Sequence, residues 1–268
     1  MQHVANLTDV RSQTDAPAIE VEGLNHVYAG PDGGVPALTD ISMSVGMGRF
    51  VVIVGPSGCG KTSLLMMMAG LRRQTEGTIL CHGRPIPDPD PTRVGVIFQE
   101  ASLFPWLTTL NNIEFPLSLR GAPREERRRR SQAMLTLVGL EGFGERYPHE
   151  LSGGMKQRVS IARGLVQDPP VLLMDEPFAA LDEQTRMTMG HELLRIWSTT
   201  GKTVVFVTHS LTEAVYLADE VLVMSARPGR IIDQIEVTLP RPRTYEMMAT
   251  DVFGRLRDRI WQQIRKSA

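Results

Sequence analysis

The chain is poor in cysteine, in long apolar runs and in net charge. Only two of its 268 residues are cysteines, Cys59 and Cys81, which argues against a disulfide framework and favours a reducing compartment. No apolar run approaches the roughly 20 residues of a membrane-spanning helix, so any membrane association requires a partner. Lys and Arg number 29 against 30 Asp and Glu, and this balance provides no electrostatic footprint for nucleic acid.

The distribution of apolar residues predicts an α/β fold. Residues 19–28 alternate apolar and polar side chains, as a half-exposed strand does, and residues 50–54 form a short β-branched run typical of a buried strand. Residues 101–165 change to a helical pattern. From residue 171 onward, strand and helix patterns alternate, which indicates a mainly parallel sheet covered on both faces.

These shifts in pattern predict where the chain divides. Residues 1–17 lack the basic start and apolar segment of a signal peptide, and we expect a flexible leader there. Residues 18–100 and 166–268 are expected to form one core with an antiparallel β subdomain. Residues 101–165 are expected to be an inserted helical subdomain.

A glycine-rich segment between a strand and a helix predicts a triphosphate cradle. It follows the pattern G-x-x-x-x-G-K-[ST] and, with the residue after it, comprises Gly55, Pro56, Ser57, Gly58, Cys59, Gly60, Lys61, Thr62 and Ser63. Glycines let the backbone turn its N–H groups onto phosphate oxygens, and the helix N-terminus adds partial positive charge. Lys61 can reach the β- and γ-phosphates, and Thr62 can offer its hydroxyl to Mg²⁺. The alternative, an ordinary glycine turn, leaves the Lys-Thr pair unexplained.

Cys59 lies inside this loop and admits two interpretations. A helix N-terminus favours the thiolate and would make the side chain sensitive to alkylation. We expect instead a small side chain that fills space within the loop.

Two adjacent carboxylates follow the apolar strand at residues 171–174. A strand parallel to the one before the loop delivers its carboxyl end to the same edge of the sheet. We expect Asp175 to hold Mg²⁺, directly or through water, and Glu176 to polarise the attacking water. The alternative is a solvated acidic strand end.

A second anion-binding helix start is predicted at Ser152, Gly153 and Gly154. One nucleotide does not need two such cradles in the same lobe. We therefore expect this one to serve a nucleotide bound to another copy of the chain, or to a related chain.

Together these segments resemble the ATP-binding subunit of an ABC transporter. The resemblance runs from Tyr28 to the C-terminal helix, and its most specific element is the motif LSGGMKQR that begins at Leu151. The order of the motifs agrees as well. An α/β P-loop NTPase core with ATP and Mg²⁺ as ligands is what the resemblance implies.

The resemblance also implies roles for single residues. Tyr28 would stack on adenine, and Gln99 would contact Mg²⁺ and the attacking water. His209 would hydrogen-bond the γ-phosphate, and the loop that ends at Asp182 would meet the second ATP-binding subunit. Taken alone, Tyr28 would be an ordinary strand aromatic, Gln99 a polar strand end and His209 a structural histidine.

Segments around residues 98–121, 172–186 and 207–231 are similar to importers of nitrate, sulfonate and taurine, and to those of thiamine-precursor pyrimidines. This implies multi-helix permease subunits, a second ATP-binding subunit that is identical or related to this chain, with an identical one expected, a solute-binding protein and a peripheral place on the cytoplasmic face of the membrane. The aromatic residues at 104–106 would face a partner, with core packing as the alternative.

Three other functions stay open at this stage. A soluble ABC ATPase acting on DNA or ribosomes usually has a long coiled coil or two fused nucleotide domains, and neither is visible. A P-loop kinase would not need LSGGMKQR or His209. An exporter with separate chains is the third alternative.

Overall fold

The computed structural model describes residues 17–30 and 34–267. Apart from Pro17, the leader predicted for residues 1–17 lies outside the described residues. The strands, in chain order, are β1 (Ile19–Tyr28), β2 (Val35–Val45), β3 (Phe50–Val54), β4 (Glu76–Cys81), β5 (Arg84–Pro85), β6 (Val94–Ile97), β7 (Val171–Asp175), β8 (Thr203–Thr208), β9 (Glu220–Met224) and β10 (Ile231–Glu236). The helices are α1 (Lys61–Met68), α2 (Thr109–Leu119), α3 (Arg124–Leu137), α4 (Gly153–Leu165), α5 (Glu183–Thr200), α6 (Leu211–Leu217) and α7 (Asp251–Lys266), with short 3-10 helices at Pro148–Glu150 and Tyr245–Ala249.

The larger sheet has six strands in the order β10-β9-β3-β8-β7-β6. All neighbours in it are parallel except β10, which runs antiparallel to β9. This confirms the predicted mainly parallel sheet. Strand β10 was not predicted, because it lies at an edge and buries only Ile235 completely, so its residues show little apolar pattern.

The smaller sheet is antiparallel and has four strands in the order β2-β1-β4-β5. It is the antiparallel β portion that the alternation in residues 19–28 predicted. Strand β1 ends at Tyr28, next to the glycine-rich loop that follows β3.

Apolar layers cover both faces of the larger sheet. Alternate residues of β3 point to opposite faces, so Val52 contributes to one core and Ile53 to the other. The first core includes Val215 of α6, and the second includes Leu64 and Leu65 of α1. A strand buried on both faces is rigid, and β3 therefore presents the loop after it in a fixed position.

Helices α2, α3 and α4 pack against one another between β6 and β7 in the chain. Asn112 of α2 is fully buried, accepts a hydrogen bond from the backbone N–H of Phe104 and donates one to its carbonyl. It thereby fixes the loop before α2. The division of the chain at residues 101 and 165 stays a prediction.

Within residues 17–30 and 34–267, we find no helix with the length and apolar character needed to cross a membrane.

Candidate nucleotide-binding site

The loop at residues 55–60 connects buried β3 to α1 and takes a shape that needs glycine. Gly58 and Gly60 have φ angles of 77° and 104°, in the region that side chains disfavour. A Cβ on Gly60 would lie 2.6 Å from Cδ2 of Leu38, so this position also lacks room for a side chain. The backbone therefore curls closely at the start of α1, as an anion cradle requires.

Lys61 is folded back into this loop, which we call the P-loop (residues 55–62). Its side chain is buried, and its Nζ donates to the carbonyl oxygens of Gly55 at 2.9 Å and of Pro56 at 3.0 Å. A buried ammonium group needs such partners, because burial without hydrogen bonds is costly. The positive charge is thus held in place at the centre of the cradle.

Thr62 and Asp175 meet across the end of the sheet. The Thr62 hydroxyl donates to Oδ1 of Asp175 at 3.0 Å, and Asp175 is 7% exposed. Burial raises the pKa of this carboxyl, and the charge of Glu176 adds to the rise, although the Thr62 hydrogen bond opposes it. A carboxylate that is destabilised in this way gains when a cation binds next to it.

The Thr62 hydroxyl and the Asp175 carboxylate fit a magnesium ion that is also bound by the phosphate oxygens of a nucleotide. Magnesium in such sites takes one or two carboxylates together with water and substrate phosphates. In the described ranges, no group of three or more His, Cys, Asp or Glu side chains could hold a metal. An ion bound at Thr62 and Asp175 would need the oxygens of a phosphate or of water as well.

Glu176 and His209 follow neighbouring parallel strands, β7 and β8, and come together at one edge of the sheet. Oε2 of Glu176 accepts a hydrogen bond from Nδ1 of His209 at 2.7 Å. Glu176 has a φ of 43°, and its N–H donates to the carbonyl of Val207 at 2.9 Å. This bond to β8 holds a backbone conformation that is unusual for a residue other than glycine.

Tyr28 is tied to the same region from the smaller sheet. Its hydroxyl lies 2.7 Å from Oγ of Ser63, and the guanidinium of Arg72 lies 4.8 Å from the centre of its ring. The ring of His26 packs edge-on at 4.7 Å. The aromatic ring therefore has a defined position beside the P-loop.

One cavity of about 330 Å³ joins eight of the predicted residues. Its lining includes Tyr28, Ser57, Gly58, Gly60, Lys61, Thr62, Ser63 and Glu176, together with Ala37 and Arg227. Ala37 and Arg227 belong to none of the sequence motifs and were not predicted. Arg227 lies in the turn between β9 and β10, far from the P-loop in the chain, and no spacing rule links the two.

The helix start at Ser152, Gly153 and Gly154 lies in a different place. Ser152 caps α4 and accepts from the N–H of Met155 at 3.3 Å. Together with Gly154 it lines a separate cavity of about 390 Å³. The structure thus does not bring this helix start to the P-loop cavity of the same chain.

Asp182 caps α5 beside that second cavity. Its carboxylate accepts from the N–H of Thr185 at 2.9 Å and from the hydroxyl of Thr185 at 2.6 Å. These hydrogen bonds lower the pKa of Asp182. A methyl group on Gly153 would lie 3.3 Å from Cδ2 of Leu181, so the loop before α5 packs against the start of α4.

Gln99 and Cys59 are predicted site residues that do not line the P-loop cavity, and the same holds for Gly55, Pro56, Asp175 and His209. Gln99 is exposed just after β6, and its side chain is outside the cavity lining. Cys59 is 1% exposed, and burial raises the pKa of its thiol, despite the nearby Lys61. The neutral thiol is therefore favoured.

Comparisons with known proteins agree with this geometry. Residues 38–179 match a sequence family that is described as ABC transporter. The nitrate import ATP-binding protein NrtD of Synechocystis is 44% identical over 92% of this chain and 95% of its own. The taurine import ATP-binding protein TauB of Pseudomonas putida is 46% identical over 82% of each chain.

A solved structure has the same fold. It is a dimeric post-hydrolysis state of an ATP-binding cassette bound to ADP and Pi, with a TM-score of 0.72 and 32% identity. The match covers 83% of this chain and all of that one. From the P-loop cavity, the separate LSGG helix start and these similarities, we conclude that the chain belongs to the ABC transporter family, as an ATP-binding and ATP-hydrolysing subunit.

Proposed function

We propose that this chain is the ATPase of an importer for a small solute such as nitrate, a sulfonate or taurine. The observation that carries the proposal is the convergence of Lys61, Thr62, Glu176 and Tyr28 on one cavity. Similarity to nitrate and taurine import proteins supports the direction of transport and the class of solute.

The residues of the cavity divide the work of ATP hydrolysis. Tyr28 stacks on adenine, while the P-loop N–H groups and Lys61 hold the phosphates. Thr62 and Asp175, with Gln99, would hold Mg²⁺, which would neutralise charge on the phosphate oxygens. Phosphoryl transfer needs mainly positioning and charge stabilisation, and these residues provide both.

Glu176 is the group that polarises the attacking water. Its carboxylate lies at the cavity wall, and the hydrogen bond from His209 fixes its orientation. His209 as an imidazolium also donates from Nε2 to the γ-phosphate, since only that form has an N–H on both ring nitrogens. The two residues act as a unit, because Nδ1 of the imidazole is hydrogen-bonded to the Glu176 carboxylate and Nε2 remains available for the phosphate.

Two copies of the chain complete each nucleotide site. The P-loop cavity lacks the Ser152 helix start, which lines another cavity of the same chain. In a head-to-tail dimer, ATP would lie between the P-loop of one copy and residues 152–154 of the other. ATP binding closes this dimer, and hydrolysis followed by phosphate loss opens it.

A complementation experiment tests the shared site. Lys61→Ala removes the phosphate-binding cation. Gly153→Asp places a negative charge at the start of α4, where it repels phosphate. The same charge interacts favourably with the helix dipole, so the helix should still form. Each variant alone is expected to be inactive. Mixing them restores about a quarter of wild-type turnover, because half of the random dimers are mixed and each has one intact site of two.

The same mixture distinguishes the alternative arrangement. If one chain formed a whole site, no pairing of these variants would contain an intact one, and the mixture would stay inactive. Thermal unfolding of both variants serves as the control that each is folded.

The coupling surface to a permease is proposed at residues 104–106. Trp106 is 70% exposed, while Phe104 is partly buried against Phe115, with ring centres 4.5 Å apart. An exposed tryptophan on a loop that Asn112 holds in place is suited to a partner. The chain would then lie peripherally on the cytoplasmic face of the membrane, together with a permease and a solute-binding protein.

Isolation of the Glu176→Gln chain with ATP from native membranes tests the transporter assignment. A multi-helix permease should copurify, with or without a solute-binding protein. Trp106→Ala should reduce its recovery, and Trp261→Ala, at a tryptophan that is 52% exposed on α7, serves as the matched control. Recovery of ribosomes, DNA or soluble partners alone would exclude the importer.

A further inference from the structure

The turn at residues 225–230 packs directly on the P-loop. Two hydrogen bonds first tie the turn to β2. The N–H of Gly229 donates to the carbonyl of Ala37 at 2.8 Å, and the N–H of Thr39 donates to the carbonyl of Gly229 at 3.0 Å. A Cβ on Gly229 would lie 2.1 Å from the carbonyl oxygen of Cys59. The backbone of this turn therefore touches the P-loop backbone with no room for a side chain between them.

The same turn is closed by its own hydrogen bonds. The N–H of Ser225 donates to the carbonyl of Arg230 at 2.9 Å, and the N–H of Arg230 donates to Oγ of Ser225 at 3.0 Å. The Ser225 hydroxyl also donates to the carbonyl of Pro228 at 3.2 Å. With both ends bridged, the residues between them keep a fixed position relative to the P-loop.

Arg227 stands at the tip of this turn and faces the nucleotide cavity. Its Nη2 donates to the carbonyl of Gly58 at 3.3 Å, and its side chain forms part of the cavity lining. A guanidinium group has five N–H donors, so this single long bond leaves most of them unused. In the part of the chain that the structure describes, no carboxylate forms an ion pair with it.

Apart from Arg227, the cavity lining has little positive charge to offset the phosphates of ATP. Its charged lining residues are Lys61, Arg227 and Glu176. Lys61 is buried and hydrogen-bonded to two loop carbonyls, whereas Arg227 is exposed with unused donors. The planar fork of a guanidinium matches phosphate oxygens in a bidentate manner.

We propose that Arg227 is a phosphate-binding residue of the nucleotide site, which adds a second fixed cation to Lys61 and contacts the polyphosphate of bound ATP. The proposal rests on the ATP site proposed above. It assigns a binding role to the turn between β9 and β10, which lies outside the P-loop and the LSGG motif.

Calorimetric titration of the purified chain with ATP, ADP and adenosine tests this role. Arg227→Ala should weaken ATP and ADP binding about tenfold, the usual size for a lost hydrogen bond between charged groups, and should leave adenosine binding unchanged. Arg227→Lys should recover part of the loss, because it keeps the charge without the fork. The matched control is Arg230→Ala, which removes an exposed arginine of the same turn from outside the cavity lining and should bind like the wild type.

Two results would overturn the proposal. One is an Arg227→Ala variant that binds ATP as tightly as the wild type. The other is an equal loss for adenosine and ATP, since that would mean that Arg227 acts on the base or on the shape of the loop. Failure of the ATP site itself would appear differently, as a wild-type chain that binds no ATP.

Discussion

The carboxylate of Glu176 and the imidazole of His209 share a hydrogen bond of 2.7 Å, although 33 positions separate them in the chain. Each residue follows the carboxyl end of its strand, and the parallel pairing of β7 with β8 places these ends side by side. The proposed catalytic base and the proposed hydrogen-bond donor to the γ-phosphate are therefore coupled before any substrate binds.

Glu176→Gln should lower ATP turnover by roughly 10²–10⁴, the usual effect of a lost general base. ATP binding should persist, because the P-loop contacts are unchanged. Steady-state phosphate release and calorimetric ATP binding measure the two effects. Near-normal turnover would contradict the assignment of Glu176 as the base.

Combining Glu176→Gln with His209→Ala should cost little more than Glu176→Gln alone. Residues that act as one hydrogen-bonded unit have non-additive effects. The double variant is compared with both single variants in the same phosphate-release assay. Fully multiplicative losses would show that the two residues act independently.

Asp175→Asn should stabilise the nucleotide-free protein while weakening its response to Mg²⁺ and ATP. The pKa of Asp175 is raised, so its contribution to stability is present below the unfolded pKa and is lost as pH rises through the folded pKa. At neutral pH the ionised carboxylate is therefore a cost, and its removal should raise Tm, where each gain of about 1 kcal/mol corresponds to about 2–4 °C.

The pH dependence provides the check on that prediction. The difference in Tm between Asp175→Asn and the wild type should be largest at neutral pH and shrink as pH falls toward the ordinary pKa of an aspartate, about 4. Addition of Mg²⁺ and ATP should raise the Tm of the wild type more than that of the variant. A variant that is less stable than the wild type at every pH would refute the explanation.

Gly229→Ala and Gly254→Ala should shift stability in opposite directions. A methyl group on Gly229 would collide with the Cys59 carbonyl, and overpacking of this kind costs about 1–3 kcal/mol. Gly254 lies inside α7, and a Cβ added there would meet nothing within 4 Å, so alanine should gain about 0.5–1 kcal/mol of helix propensity. Thermal unfolding measures both, and weaker ATP binding should accompany only Gly229→Ala.

Tyr28→Ala should weaken ATP binding about tenfold, because loss of stacking on a base costs about 1–3 kcal/mol. Tyr28→Phe keeps the ring and loses only the hydrogen bond to Ser63, so its affinity should stay near that of the wild type. If both variants lost affinity equally, the hydroxyl rather than the ring would be the important group.

Much of the fold follows from local patterns in the chain. The buried run at Phe50–Val54, the P-loop after it and the paired carboxylates after β7 are each encoded within a few residues. Strand β10 was missed because an edge strand with one fully buried residue has almost no apolar period. Arg227 was missed for another reason: its relation to Gly58 depends on a hydrogen bond across 169 positions.

By itself, the sequence determined the chemistry that is available: a lysine and threonine in a glycine turn, a carboxylate pair and a second helix start at Ser152. Only the tertiary structure decided which of these groups share a cavity. Parallel strands delivered Asp175, Glu176 and His209 to one edge, while α4 carried Ser152 to a separate cavity. The physical reason is that motifs are local in the chain, whereas a site is made by contacts between distant segments, which only the packing of the sheet and helices sets.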